Sequence, residues 1–217
     1  MSVFDTCWRT LNAYAPAMPS PDSMKSVSQK AGIACGLAAA VSFVALYTIA
    51  MSLDPSYLFG KNYLSDLGVS DGAWAFNSGV IIAGTLFVPF ALFGLRPALG
   101  KGALSIICVV LMAIAGLFLI SIGIFTEDAG DIHGVVSYGF FLTMLVTLGL
   151  VAYALYRSKS LGSSGYLVTL VIFLFGLAML PMGGNPLSET LAVLGILLWG
   201  FLIGIALLIT DKGVSTA

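Results

Sequence analysis

The chain is 217 residues long; 59% of its residues are hydrophobic, only 9% are charged, and the formal net charge is −1. Its mean hydropathy is +1.05, so too few charged groups are present to solvate a globule of this size, and a soluble domain is excluded. Lipid offers backbone amides no hydrogen-bond partners, so long apolar stretches must be helical. Twenty-five glycines and little alternation of polar with apolar residues argue against a barrel.

The first thirty residues precede any long apolar run. Phe4, Trp8 and Leu11 recur at helical spacing, and Pro16 follows. This pattern predicts a short amphipathic helix at the cytoplasmic membrane interface over residues 1–30. A plain flexible tail is the alternative, because one apolar stripe is a weak signal.

Six apolar stretches then fill most of the chain. A run of about 20 residues at 1.5 Å rise per residue crosses a hydrocarbon core of about 30 Å. We therefore predict a six-transmembrane-helix bundle over residues 31–210, followed by a cytoplasmic tail at 211–217. The predicted spans are 31–53, 73–95, 102–125, 132–156, 163–182 and 188–210.

The basic residues predict the orientation of the bundle. With six spans, the two termini share one side with the loops after spans two and four. That side holds eight Lys and Arg residues, whereas the opposite side holds Lys61 alone. By the positive-inside rule both termini are cytoplasmic in a multi-pass protein of the cytoplasmic membrane. Most acids divide the other way and face outward: Asp54, Asp66, Asp71, Glu127, Asp128, Asp131 and Glu189.

Small residues and one proline predict features inside the membrane. Gly32 with Gly36, and Gly200 with Gly204, are spaced so that helix backbones can approach closely. We interpret both pairs as contacts within the bundle, with a dimer contact at the last helix as the alternative. Pro89 is expected to kink span two. No charged residue lies deep in a span, which argues against a proton pump or an ion-coupled transporter.

Polar residues that could bind a ligand or take part in catalysis gather in the outward loops. His133, the single histidine, starts span four, and Ser137 lies one turn deeper on the same face. In the last outward turn, Ser188 is placed to cap span six. In the second outward turn, Asp131 is placed to cap span four. The candidate ligand-binding residues are Asn62, Ser65, Asp66, Asn77, His133 and Glu189.

The first outward loop also carries a family resemblance. The run Asn-Tyr-Leu-Ser-Asp-Leu-Gly at 62–68, the Phe-Asn-Ser-Gly at 76–79 and the Ile-His-Gly at 132–134 resemble an uncharacterised bacterial and archaeal family of six-helix proteins, a domain of unknown function. The chain is more distantly similar to the Frag1/DRAM/Sfk1 membrane proteins. The resemblance implies the six-helix fold and carries no established reaction; the distant relatives suggest a connection with membrane lipids.

Three functions fit these residues. The leading interpretation is binding of an outer-leaflet lipid or amphiphile in an outward cavity, with the aromatic loop above it and Asn77 and His133 at its floor. The second is structural: Asp66, Asn77 and His133 hydrogen-bond one another and hold the loop on the bundle. The third is a lipid-modifying hydrolase or transferase, with His133 as general base, Asp66 orienting it, and Ser65 or water as nucleophile.

Metal and partner predictions are narrower. One histidine is too few for a zinc hydrolase, so no cofactor is expected. Calcium or magnesium is the alternative, because carboxylates suit these ions, and its candidate ligands are Glu127, Asp128 and Asp131. Membrane lipids are the expected partners and nucleic acid is not; a homo-oligomer or a partner membrane subunit stays open.

Overall fold

A computed structural model describes the backbone of residues 21–214 and the side chains of residues 26–210. Within that part the fold consists of helices and connecting turns, with no strand. Six helices are long and apolar enough to cross a membrane, which confirms the predicted six-helix bundle. The long helices are α1 (Pro21–Leu53), α2 (Ala73–Pro89), α3 (Ala103–Ile124), α4 (Asp131–Ser158), α5 (Gly162–Met179) and α6 (Pro186–Val214).

Shorter helical turns extend or connect these helices. After Pro89, α2 continues as a π-helical turn, Phe90–Leu95, and a 3₁₀ turn, Arg96–Leu99. The helix type therefore changes directly after Pro89, whose ring nitrogen cannot donate the usual backbone hydrogen bond, and the predicted kink stays a prediction. The other short helices are Leu64–Val69, Glu127–Ala129 and Leu180–Met182.

The first helix extends beyond the predicted span. Within the described residues, helix α1 runs from Pro21 without a break into the membrane segment. The predicted interfacial helix around Phe4, Trp8 and Leu11 lies outside the described residues.

Two helix starts also differ from the predicted caps. Helix α6 begins at Pro186, where Asn185 and Ser188 cap each other: the Ser188 N–H donates to Asn185 Oδ1 (2.9 Å), and the Asn185 N–H donates to Ser188 Oγ (3.1 Å). Ser188 is thus the inner partner of a reciprocal box, not the first residue. The predicted cap at Asp131 is wrong, because Gly130 precedes α4 at φ 61° without a side-chain bond.

Each long helix packs against the next in sequence, and α6 packs against α1, so the six helices close a ring. A central apolar cluster joins Ile33, Phe90, Met112, Met144 and Trp199 from five different segments. The ring has two ends. We call the end with residues 54–72, 125–130 and 183–185 the acidic end, and the opposite end, with residues 96–102 and 159–161, the terminal end.

The glycine pair in α1 makes the predicted close approach. A Cβ on Gly32 would lie 2.3 Å from the Gly94 backbone N, and one on Gly36 would lie 2.4 Å from the Phe90 ring. In α6, a Cβ on Gly204 would lie 2.8 Å from Leu37, whereas one on Gly200 would meet nothing within 4 Å. Three of these four glycines are therefore contacts within the bundle.

Large apolar side chains cover the outside of the ring. Val44, Leu117, Leu142 and Val171 lie in the middle of their helices and are 47–64% exposed. Such a surface is stable in lipid and unstable in water. Together with the six apolar helices, it makes this a multi-pass integral membrane protein.

Candidate functional site

The first loop at the acidic end is ordered by its own polar side chains. Asp66 accepts hydrogen bonds from the Tyr63 N–H (3.0 Å) and from the Asn62 side-chain amide (3.2 Å). The Asn62 side-chain oxygen in turn accepts from the Leu58 N–H (2.9 Å). These bonds start the short helix Leu64–Val69, whose Leu64 and Leu67 are buried. The Asn-Tyr-Leu-Ser-Asp run thus encodes a loop conformation.

Three further bonds fasten this loop to the bundle. The Leu64 N–H donates to Glu189 Oε2 on α6 (2.8 Å), and the Tyr63 hydroxyl donates to the Gly184 carbonyl (2.7 Å). On the other side, the Asn77 amide of α2 donates to the Gly68 carbonyl (2.8 Å). The loop therefore bridges α2 and α6 across the acidic end.

Three carboxyl groups meet beneath this loop. Glu127 lies beside Asp66 and Glu189, and its pKa is raised to about 7, first by burial, then by a hydrogen bond with Asp66 and by the negative charges of Asp66 and Glu189. Two carboxyl groups can hydrogen-bond each other only if one carries a proton. The acidic end therefore contains a carboxyl cluster in which the pKa of Glu127 lies near neutral pH.

His133 is held between a carbonyl and a hydroxyl. Its Nδ1 lies 2.8 Å from the Phe125 carbonyl oxygen, and its Nε2 lies 3.3 Å from Ser137 Oγ. A carbonyl only accepts, so Nδ1 carries the hydrogen, and Nε2 of the neutral ring accepts from Ser137. The predicted juxtaposition of Ser137 and His133 is confirmed.

A cavity of about 540 Å³ opens beside these groups, between α4, α5 and α6. Its polar lining gathers at the acidic end and includes Ser65, Glu127, His133, Ser137 and Glu189. Its apolar lining extends down α4 as far as Leu148, fifteen residues beyond His133, which corresponds to about 22 Å. The deep walls are apolar: Phe141, Leu145, Leu148, Ile172, Phe175 and Ile196.

The structure separates the predicted ligand-binding residues into two groups. Ser65, His133 and Glu189 line the cavity. Asn62, Asp66 and Asn77 instead hold the first loop through the bonds given above. In the structural alternative, Asp66, Asn77 and His133 would bond one another, but each has partners elsewhere: Asp66 in its own loop, Asn77 at Gly68 and His133 at Phe125 and Ser137.

The three acidic residues predicted as metal ligands are not brought together. Glu127 joins the carboxyl cluster, Asp128 accepts a hydrogen bond from the Thr126 hydroxyl, and Asp131 lies exposed in the first turn of α4. Among residues with described side chains, no group of three or more His, Cys, Asp or Glu is arranged to hold a metal ion.

Sequence reasoning did not foresee the cavity walls. The signal that could have found them is the small residues of the last two helices, because Gly176 and Gly195 both line the cavity. A Cβ on Gly195 would lie 3.5 Å from Phe175, an ordinary contact that leaves the space beside it open. Nothing in the local pattern distinguishes these glycines from those that pack tightly.

The family comparison covers most of the bundle. A family model described as "Protein of unknown function (DUF998)" matches residues 37–210. The chain belongs to this family. The match includes the first loop, the His133 turn and all of the cavity lining given above. No curated protein and no solved structure matches the chain. The similarity to the Frag1/DRAM/Sfk1 proteins stays a prediction.

Proposed function

We propose that this protein of the DUF998 family binds an amphiphile from the membrane in the cavity between α4, α5 and α6. The observation that carries the proposal is the division of the cavity lining: hydrogen-bonding groups at the acidic end, as deep as Ser137, and about 16 Å of apolar wall below them, as far as Leu148. An acyl or isoprenoid chain fits the wall, and a polar headgroup fits the mouth.

The orientation follows from charge. The terminal end carries Arg96, Lys101, Arg157 and Lys159, whereas Lys61 is the single basic residue in the loops of the acidic end. The positive-inside rule therefore favours a cytoplasmic terminal end and an outer-leaflet cavity mouth. The membrane we propose is the cytoplasmic membrane.

The charges at the mouth select the headgroup. Glu127 and Glu189 line the cavity and Asp66 lies behind them, so an anionic group would be repelled. A neutral hydroxyl or an amine can donate hydrogen bonds to these carboxyl groups. We therefore assign a ligand with an apolar chain and a hydrogen-bond-donating, non-anionic headgroup.

A pair of substitutions on one helix tests the cavity. Gly195 lines it, whereas Gly200, five residues later, faces open space. The protein should be purified in a mild detergent, and co-purified lipids measured by mass spectrometry. We expect Gly195→Leu to lose bound amphiphile and Gly200→Leu to retain it, with both variants folded. Equal retention by the two variants would contradict the proposal.

Probes of one chain length test the headgroup. Palmitoyl glycerol and hexadecylamine are expected to raise the melting temperature at pH 8, whereas palmitate is expected to have little effect. The comparison is made with wild type and Gly195→Leu. Stronger stabilisation by palmitate would contradict the assigned headgroup.

The His133–Ser137 pair favours a second candidate, a hydrolase or transferase acting on a lipid ester. Ser137 would attack the ester carbonyl while His133 Nε2 takes its proton, and His133 would return that proton to the departing alcohol. Here the Phe125 carbonyl, instead of Asp66, orients the ring. A fluorophosphonate probe tests this: labelling that Ser137→Ala abolishes and Ser65→Ala spares would support it. Absence of labelling in wild type would reject it.

A further inference from the structure

A second cavity, of about 710 Å³, lies at the terminal end, far from the acidic mouth. Its described lining combines two cations, Arg96 and Lys101, with polar groups of Gln29 and Ser105. No acidic side chain is among the described lining residues. The local charge is therefore positive, opposite to that of the amphiphile cavity.

The start of α3 forms one wall of this cavity. Gly102 precedes the helix at φ 105°, and no side chain caps the first turn. The backbone N–H groups of residues 103–105 precede the first internal bond of the helix, the long contact from the Ile106 N–H to the Gly102 carbonyl (3.5 Å). Unused N–H groups at a helix start attract anions.

Ser105 supplies a separate indication of a missing ligand. It lines the cavity, is only 3% exposed, and its hydroxyl has no hydrogen-bond partner among the described residues. A buried hydroxyl without a partner destabilises a fold, because its lost hydrogen bond to water is not replaced. The oxygen itself is closed to solvent, so rotation of the Ser105 side chain about χ1 would bring the hydroxyl to an anion oxygen at the start of α3 and give it an acceptor.

Apolar side chains flank the charged groups. Leu92, Phe93 and Ile106 line the same cavity and are 37–53% exposed on the lipid-facing surface. This arrangement places an apolar surface beside a positive cavity, as expected for an anionic lipid whose chains lie along the helices.

We propose that this cavity binds the phosphate of an anionic lipid, with Arg96 and Lys101 neutralising its charge and the Ser105 hydroxyl and the N–H groups of α3 donating hydrogen bonds. Free phosphate has the same binding chemistry. The apolar flank favours the lipid, because inorganic phosphate gains nothing from Leu92, Phe93 and Ile106.

The test uses the full chain in a neutral detergent. Short-chain phosphatidylglycerol, phosphatidylcholine and inorganic phosphate are each titrated, and binding is measured by native mass spectrometry and by melting temperature. We expect saturable binding of phosphatidylglycerol and weaker binding of phosphatidylcholine, whose headgroup has no net charge. Saturable binding of inorganic phosphate with equal affinity would identify free phosphate as the ligand of the same site.

Substitutions decide whether this site is responsible. Arg96→Gln with Lys101→Gln is expected to weaken phosphatidylglycerol binding by about thirtyfold, since each cation contributes about 1 kcal/mol near an anionic headgroup. The matched control, Arg157→Gln with Lys159→Asn, removes the same charge at the same end but outside the cavity lining. Equal weakening by the control pair would overturn the proposal.

Ser105→Ala tests the same site without changing the net charge of the protein. It should weaken phosphatidylglycerol binding by about five- to tenfold through loss of one hydrogen bond, while it raises the melting temperature of the lipid-free protein by removing an unpaired hydroxyl. Unchanged phosphatidylglycerol affinity in both Ser105→Ala and the Arg96/Lys101 variant would overturn the proposal. None of these variants changes a residue of the cavity between α4, α5 and α6. Their outcome therefore tests the anionic-lipid site separately from the proposed amphiphile binding.

Discussion

Helices α1 and α2 pack tightly against each other, whereas helices α5 and α6 pack loosely. In the most apolar window of the span Ala73–Leu99, half of the residues are buried inside the protein, whereas the figure for Gly162–Met182 is 11%. Glycines occur in both regions. Gly32 and Gly94 bring two backbones together, but Gly176 and Gly195 border a cavity.

This difference shows that a glycine in a membrane helix does not by itself indicate whether that position packs tightly or borders a cavity. Where the opposite helix also presents glycine, as Gly94 does to Gly32, the backbones touch and dispersion contacts stabilise the pair. At Gly195, in contrast, a Cβ would lie 3.5 Å from Phe175, which is an ordinary contact, and the cavity extends beside this glycine. The tight contact forms a scaffold, and the loose region is available to a ligand.

The largest expected effect tests the tight contact. Gly32→Ala places a methyl group against the Gly94 backbone, which cannot move as a flexible side chain would. We expect a loss of about 3 kcal/mol in unfolding free energy, measured by denaturant unfolding in detergent micelles. Gly200→Ala is the control and should change stability by no more than about 1 kcal/mol, because helix propensity alone is altered there. Similar losses in both variants would remove the distinction between the two regions.

The next effect concerns the loop that joins the two regions. Glu189→Ala removes the acceptor of the Leu64 N–H and should cost about 2 kcal/mol, because it leaves the backbone donor of buried Leu64 without a partner. Hydrogen exchange of residues 64–69 should accelerate, while the amides of α1 and α2 keep their protection. Asp128→Ala, which affects only the neighbouring turn, should leave that exchange unchanged. Unaltered exchange in Glu189→Ala would show that other contacts hold the loop.

The smallest effect is a pH dependence of the carboxyl cluster. The pKa of Glu127 is raised from 4.5 to about 7 in the folded protein. Between these values the folded protein holds a proton that the unfolded chain has released, so stability falls as the pH rises and levels off above pH 7. Allowing for solvent screening of a partly exposed group, the loss is about 1 kcal/mol. Melting temperatures at pH 5 and pH 8 measure it.

Glu127→Gln is the matched variant for this pH dependence. Glutamine cannot ionise and keeps the size of the side chain, so the difference between pH 5 and pH 8 should shrink. The variant should also be more stable than wild type at pH 8. A wild-type stability that rises with pH over this range would contradict the raised pKa of Glu127.

Several features of the fold and the site could be predicted because they depend on neighbours in sequence. The six spans follow from run length, and the His133–Ser137 contact follows from the four-residue spacing of a helix. The close approach at Gly32 and Gly36 was predicted from spacing alone. Helix starts were less accurate, since Gly130 and Asn185 take positions that the spacing assigned to Asp131 and Ser188.

The walls of the cavity and the pairing of the polar residues could not be predicted. Asn77 bonds Gly68 and Glu189 bonds Leu64, and these partners are nine and 125 positions apart. Which side chains meet depends on the rotation and packing of each helix about its axis, and hydrophobicity is too uniform around these helices to determine that rotation.

The sequence by itself determined the solvent, the number of membrane-spanning helices and the confinement of charged groups to the two ends, because lipid strongly disfavours a charge in the middle of a span. The tertiary structure decided which helices touch and which leave space. That decision depends on side-chain shapes meeting across the bundle, as Gly32 meets Gly94 and Gly195 faces Phe175. Packing of this kind is a property of pairs of helices, so no single segment of the sequence contains it.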